Sequence, residues 1–351
     1  MDFQLSDDQR ALRSGMRDLL GAVFDRDRLR AAVERDGALD RSVWRELGAA
    51  GFFALRLPEE AGGVGLGLPE AVLLFEEAGR ALLPGPLVAT HLAAGLVKGA
   101  AEGEAVVTAV AGDLPVAHLA EADAVLAVGL RGEALSGEET GAEALTGEAL
   151  RAFVAAARPV RSMDPLTPLH RARADTERAP ATTERTPAHA GRFRFEAALL
   201  TAAEQLGSAA RTTEAAVQHA GSREQFGSPI GAFQAVKHLC ADMLARTEPA
   251  RAAVYAAAVT GDPVEIAAAK LLADEAAVRN ASDCLQIHGG MGFTWEADVH
   301  LHLKRAWLRA ASWLTGAGAE ELLAADLGTA GRLPRSSAAY GRPAPEAEGG
   351  G

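Results

Sequence analysis

Two short segments of this 351-residue chain gather residue types suited to a phosphate-bearing ligand. The first runs Ser222-Arg223-Glu224-Gln225-Phe226-Gly227-Ser228-Pro229-Ile230-Gly231-Ala232-Phe233-Gln234. Arg223 is a permanent cation whose planar fork of donors matches phosphate oxygens, and Gly227 and Gly231 allow tight backbone turns beside it. The second runs Gln286-Ile287-His288-Gly289-Gly290-Met291-Gly292-Phe293-Thr294-Trp295-Glu296. Gln286 offers a planar donor and acceptor, and Gly289 and Gly290 lack the β-carbons that would keep a ligand from the backbone. Singly, each feature has an ordinary explanation: glycines after a helix are C-caps, and a lone arginine sits in solvent. The glycine-rich stretch Leu57-Pro58-Glu59-Glu60-Ala61-Gly62-Gly63-Val64-Gly65-Leu66-Gly67 is no dinucleotide fingerprint, since no strand precedes it and the spacing is wrong. His300 and His302 stand two apart on a helical pattern and so face different ways, which argues against a metal pair.

Both segments fall between long helical patterns that must position them. Apolar stripes predict helices over 195–220, 233–258 and 297–313, with another from 263 to the stop at Gly289-Gly290. Asp262 is the expected N-cap of that last helix, Pro263 its first position and Glu265 the reciprocal partner. Four such helices suit an up-and-down bundle over residues 191–330. At the other end, Ser6 and Gln9 form a capping box for a helix carrying Leu12, Met16, Leu19, Leu20 and Val23. Further helices are expected over 42–50 and 69–83, making residues 1–86 a helical domain. Between them, residues 104–110 and 123–129 are β-branched runs bounded by turn residues. Residues 161–189, rich in Pro, Thr and Arg, suggest irregular strands or loops, so 87–190 reads as a small β domain. Residues 331–351 are too poor in apolar side chains to order themselves and are expected to form a disordered tail.

Composition narrows the function. A net charge of −12 repels nucleic acid, and no basic cluster counters it. No apolar run is long enough to span a membrane, and the start of the chain shows no secretory signal, so a cytoplasmic protein is expected. Cys240 and Cys284 sit in apolar helical stretches as unreactive thiols.

Taken together, the wording of the two segments and of the Leu57 to Gly67 loop, with Glu76-Glu77-Ala78-Gly79-Arg80 after it, resembles the acyl-CoA dehydrogenase family. The likeness covers residues 1–90 and 191–315. It implies a mostly α fold with an N-terminal helical domain, a small middle β domain and a C-terminal four-helix bundle, and FAD bound across a subunit interface. By the same resemblance Arg223, Gln234, Gln286, Ile287, His288, Gly289 and Gly290 hold the ADP half of the flavin. It further implies α,β-desaturation of an acyl-CoA thioester, a carboxylate taking the α-proton and the flavin a hydride, with an electron-transferring flavoprotein as acceptor. The sequence departs from the family twice. The Thr-Glu-Pro-x-x-Gly-Ser-Asp segment that packs on the flavin ring is missing, and no Glu-Gly-Thr follows the helix ending near Trp313-Leu314-Thr315-Gly316. Some members take the base from the first bundle helix, where this chain has Glu196, within one position of the expected place, and Glu204, two turns on; a glutamate on a long helix is otherwise a solvated face residue. Three functions follow: a self-sufficient dehydrogenase in a homo-oligomer; a half-site subunit lending the ADP-binding part of a flavin pocket to a paralogue in a heteromer; or a monooxygenase or structural relative on the same fold.

Overall fold

The computed structural model describes residues 4–112, 114–128, 141–172 and 185–330. Its N-terminal part holds α1 (Asp7–Val23), α2 (Arg26–Glu34), α3 (Arg41–Ala49), α4 (Leu68–Arg80) and α5 (Leu87–Leu92). The Ser6–Gln9 capping box forms with both bonds at 3.1 Å. The helix expected over 69–83 ends at Arg80, because Leu82 takes a left-handed backbone and breaks the ladder. α4 is buried from Ala71 to Gly79, carboxylates included. Glu77 accepts two bonds from Arg17 of α1, at 2.6 and 2.8 Å.

The middle part contains β1 (Val107–Ala111), β2 (Val116–Ala117), β3 (Ala124–Val128), β4 (Gly141–Leu145), α6 (Gly147–Ala156), β5 (Arg158–Val160), β6 (Leu169–Arg171) and β7 (Arg185–His189). One sheet has the order β1-β3-β4-β7 and the other β2-β6-β5. β1 and β3 are the two β-branched runs of the sequence, and they pair in parallel with Val107 opposite Ala124. All five residues of β3 are buried, which is why that stretch reads as a continuous apolar run. The helix α6 was not expected from the sequence.

The C-terminal part is α7 (Ala190–Ser222), the short hairpin β8 (Glu224–Gln225) and β9 (Ser228–Pro229), α8 (Gln234–Thr260), α9 (Pro263–His288), α10 (Val299–Ala310) and α11 (Gly316–Ala330). Asp262 caps α9 by accepting from Val264 and Glu265 N–H at 2.9 and 3.0 Å. The reciprocal half differs from expectation: the Asp262 N–H goes to Thr260 Oγ1, and Glu265 accepts from that hydroxyl instead. α10 is shorter than the 297–313 reading at both ends, running Val299–Ala310, and Trp313 beyond it adopts a positive φ. α2, α5 and α11 were not expected. The expected tail, 331–351, lies outside the described residues, as do 173–184 of the Pro/Thr/Arg-rich stretch. No described helix is long and apolar enough to cross a membrane.

One core runs through α1, α4, α7, α8 and α9. α4 and α7 touch backbone to backbone at two glycines. A β-carbon on Gly207 would stand 1.8 Å from Glu76 O, and one on Gly79 2.0 Å from Glu204 O. That crossing fixes where Glu204 points.

Candidate functional site

α5, β1, α7 and α10 line an open cavity of about 180 Å³ where the three parts of the chain meet. Its wall is mainly apolar, with Leu87, Val88, Leu169, Leu308 and Trp313, and it carries the hydroxyls of Thr108, Thr167 and Thr201. Three charged side chains line it: Glu204, Arg305 and Arg309. Glu204 is held by Arg309 Nη2 at 2.7 Å, with both side chains under a tenth exposed. Burial pushes the Glu204 carboxyl above the usual carboxylate range, against the pull of Arg309 and Arg305. Burial likewise lowers the Arg309 guanidinium to about 10, which leaves it charged at neutral pH. Arg305 pairs with the fully buried Asp164.

Glu196 is placed differently. It lies two turns before Glu204 on α7, outside this cavity wall, and is clamped by two cations. Arg56 donates to it at 2.8 and 3.2 Å and Arg192 at 2.8 Å. Burial acts to raise its carboxyl, but the two arginines outweigh burial and hold it below the ordinary value. A carboxylate so stabilised is a poor proton acceptor.

The two glycine-containing segments meet at the far end of the bundle. The rings of His219, in the last turn of α7, and His288, in the last turn of α9, stack at 4.1 Å and 17°. Ala220, Met243, Cys284, Leu285 and Ile287 pack beneath them. Arg223, Gln234, Gln286, Gly289 and Gly290 are all exposed there, while Ile287 is buried and His288 half-buried. Ile287 is thus a packing residue, and the His288 Nδ1 lies 2.8 Å from Cys284 O. Gln234 is within 3.1 Å of His238. Gly289 has φ 60° and, like Gly290, nothing within 4 Å of where a β-carbon would stand, so backbone there is open to a ligand. Exposed guanidinium and amide donors beside bare backbone fit the phosphates of FAD.

His300 and His302 are buried and have separate neighbours. His300 packs edge-on against Trp295, and His302 Nδ1 lies 2.7 Å from Ser208 Oγ. Among the described residues no cluster of three or more metal-ligating side chains occurs. Both cysteines are free. The sequence reading missed Arg305, Arg309 and Trp313 as cavity residues. The i, i+4 spacing of Arg305 and Arg309 on α10 was the available signal for those two, whereas Trp313 lies past the end of that helix.

The acyl-CoA dehydrogenase N-terminal domain pattern matches residues 6–102 and the C-terminal domain pattern residues 191–331. Acyl-CoA dehydrogenase IpdE2 of Mycobacterium tuberculosis is 37% identical over 285 residues, which is 79% of this chain and 84% of that protein. The chain belongs to the acyl-CoA dehydrogenase family. It is an FAD-dependent oxidoreductase acting on CH–CH groups. The FAD complex of PigA shares the fold at TM-score 0.78 and 19% identity, covering 93% of this chain and 99% of that one. The ChsE4-ChsE5 complex from M. tuberculosis does so at TM-score 0.74 and 23% identity, covering 95% of this chain and 100% of that one.

Proposed function

We propose that this acyl-CoA dehydrogenase takes the α-proton of its thioester substrate with Glu204 and holds the ADP half of FAD on Arg223, Gln234 and the end of α9, with Gln286, His288, Gly289 and Gly290. One observation carries the choice of base: among the described residues, Glu204 is the only carboxylate lining the cavity where the three parts of the chain meet. A proton beside a thioester is very weakly acidic, so its acceptor must be desolvated and close. Burial raises the proton affinity of Glu204, whereas Glu196 is outside the wall and tied to Arg56 and Arg192. FAD, when bound, supplies the acceptor for the hydride leaving the β-carbon. Thr108 and Thr167 donate their hydroxyl protons to Ala117 O and Asp164, so the hydroxyl of Thr201 is the cavity donor that fits a carbonyl oxygen whose charge grows as the proton leaves. An electron-transferring flavoprotein fits as the onward acceptor, and two free thiols fit a reducing cytoplasmic setting.

A second reading has support of its own. Arg309 restrains Glu204, and the flavin-ring segment expected in the middle domain is missing from the sequence. Large apolar side chains stand in solvent at the ADP end, Phe226 at 93% and Phe293 at 76% exposure. These fit a subunit that completes its flavin pocket with a paralogue, and the fold neighbour ChsE4-ChsE5 is itself a complex of two chains. The flavin content and solution mass of the chain purified alone separate the readings. About one FAD per chain in a homo-oligomer supports a self-sufficient enzyme. An apoprotein that gains flavin only with a co-expressed paralogue supports the half-site subunit.

A further inference from the structure

The two segments assigned to the ADP half of FAD come from different helix ends, and a pair of rings joins them. His219 lies in the last turn of α7, one turn before Arg223, and His288 ends α9 directly before Gly289. Their imidazoles stack 4.1 Å apart and 17° from parallel. His219 also carries the backbone that seats the arginine: its carbonyl accepts from Arg223 N–H at 2.8 Å and from Ser222 Oγ at 3.3 Å. Arg223 O in turn accepts from Ile230 N–H at 2.8 Å, which closes the β8–β9 hairpin. Beyond these ties both segments turn through open glycines. Gly227 and Gly289 have φ 80° and 60°, with no atom within 4 Å of where a β-carbon would stand. Helix ends fray because their final carbonyls lack intrahelical partners, so a contact between two ends decides how well the donors on each keep their spacing. Burial, His288 and Arg223 together hold the His219 imidazole below its ordinary value, so that ring is uncharged at neutral pH and the pair does not repel.

We propose that His219 is a positioning residue for FAD: its stack on His288 holds Arg223 and the Gly289–Gly290 backbone at the one spacing from which both reach the ADP half of the same flavin. This rests on those segments holding the ADP half. His219 acts through Arg223 and His288 rather than by touching the cofactor.

The test is fluorescence titration of FAD into the apoprotein, prepared from the assembly in which the chain holds flavin. His219→Ala is expected to weaken FAD binding by roughly three- to tenfold, the worth of one aromatic pair. His219→Leu, which keeps bulk but no flat ring, is expected to behave like His219→Ala, and His219→Phe to restore wild-type affinity. Once His288 is replaced by alanine, His219→Ala is expected to cost nothing further, since the partner ring is already gone. Unchanged affinity in His219→Ala and His219→Leu overturns the proposal, and a fall in melting temperature alone would then mark the stack as packing. A loss that His219→Phe does not recover, or that adds in full to His288→Ala, overturns it as well. Arg223→Ala separates the two readings. If Arg223→Ala weakens FAD binding while His219→Ala does not, the ADP site stands and the positioning role fails; if neither weakens it, both fail.

Discussion

Glu196 and Glu204 share a helix and a residue type, and their surroundings push their carboxyls in opposite directions, Glu196 down beside its arginines and Glu204 up by burial. Glu196 was legible from its place relative to the family's base, but Arg56, which ties it down, comes from 140 residues earlier in the chain. No local pattern shows such a partner. The clamp has a pH signature. The folded carboxyl titrates below the ordinary 4.5, so the triad's stabilisation is present above that value and is lost as pH falls through the lower folded value. Glu196→Gln is therefore expected to lower the melting temperature at neutral pH, with the gap from wild type closing as the solution is acidified below about 4.5. A gap that stays constant with pH would mean that the arginines do not hold a charged Glu196. On the ligand side, Arg223, Gln286, Gly289 and Gly290, the proposed FAD contacts, are exposed in the fold and lie in short contiguous segments that can be read directly from the sequence. Arg305 and Arg309 were not legible, since on sequence alone they read as the basic last turn of a helix.

At the scale of elements, short-range signals were read correctly where they are self-contained. The Ser6 capping box and the Asp262 cap with Pro263 mark true helix starts. The helices α2, α5, α6 and α11 were missed. α2 has only nine residues, most of them charged or alanine, so its apolar stripe is short and its place is set by packing. The α4–α7 crossing was also hidden, because Gly79 and Gly207 look like poor helix formers until the two backbones are seen to touch. Gly207→Ala places a methyl against Glu76 O and is expected to cost about 1–3 kcal/mol in denaturant unfolding, with α7 pushed away from α4. Stability equal to wild type would show that the helices part without strain.

For the whole molecule, the order of helical, β and bundle parts was legible from the change from helical apolar stripes to short β-branched runs between turn residues and back. The parallel pairing of β1 with β3 was not, because strand partners are chosen by tertiary contact rather than by local wording. What the three parts make together is the cavity, and its chemistry is the central claim. It is tested by anaerobic mixing of the flavin-loaded protein, as wild type and as Glu204→Gln, with an acyl-CoA that binds, while following flavin absorbance. The expected result is bleaching in the wild type, slowed by roughly 10²–10⁴-fold in Glu204→Gln at equal flavin content. Bleaching of Glu204→Gln at the wild-type rate would contradict the account and return the search for the base to another residue or another subunit.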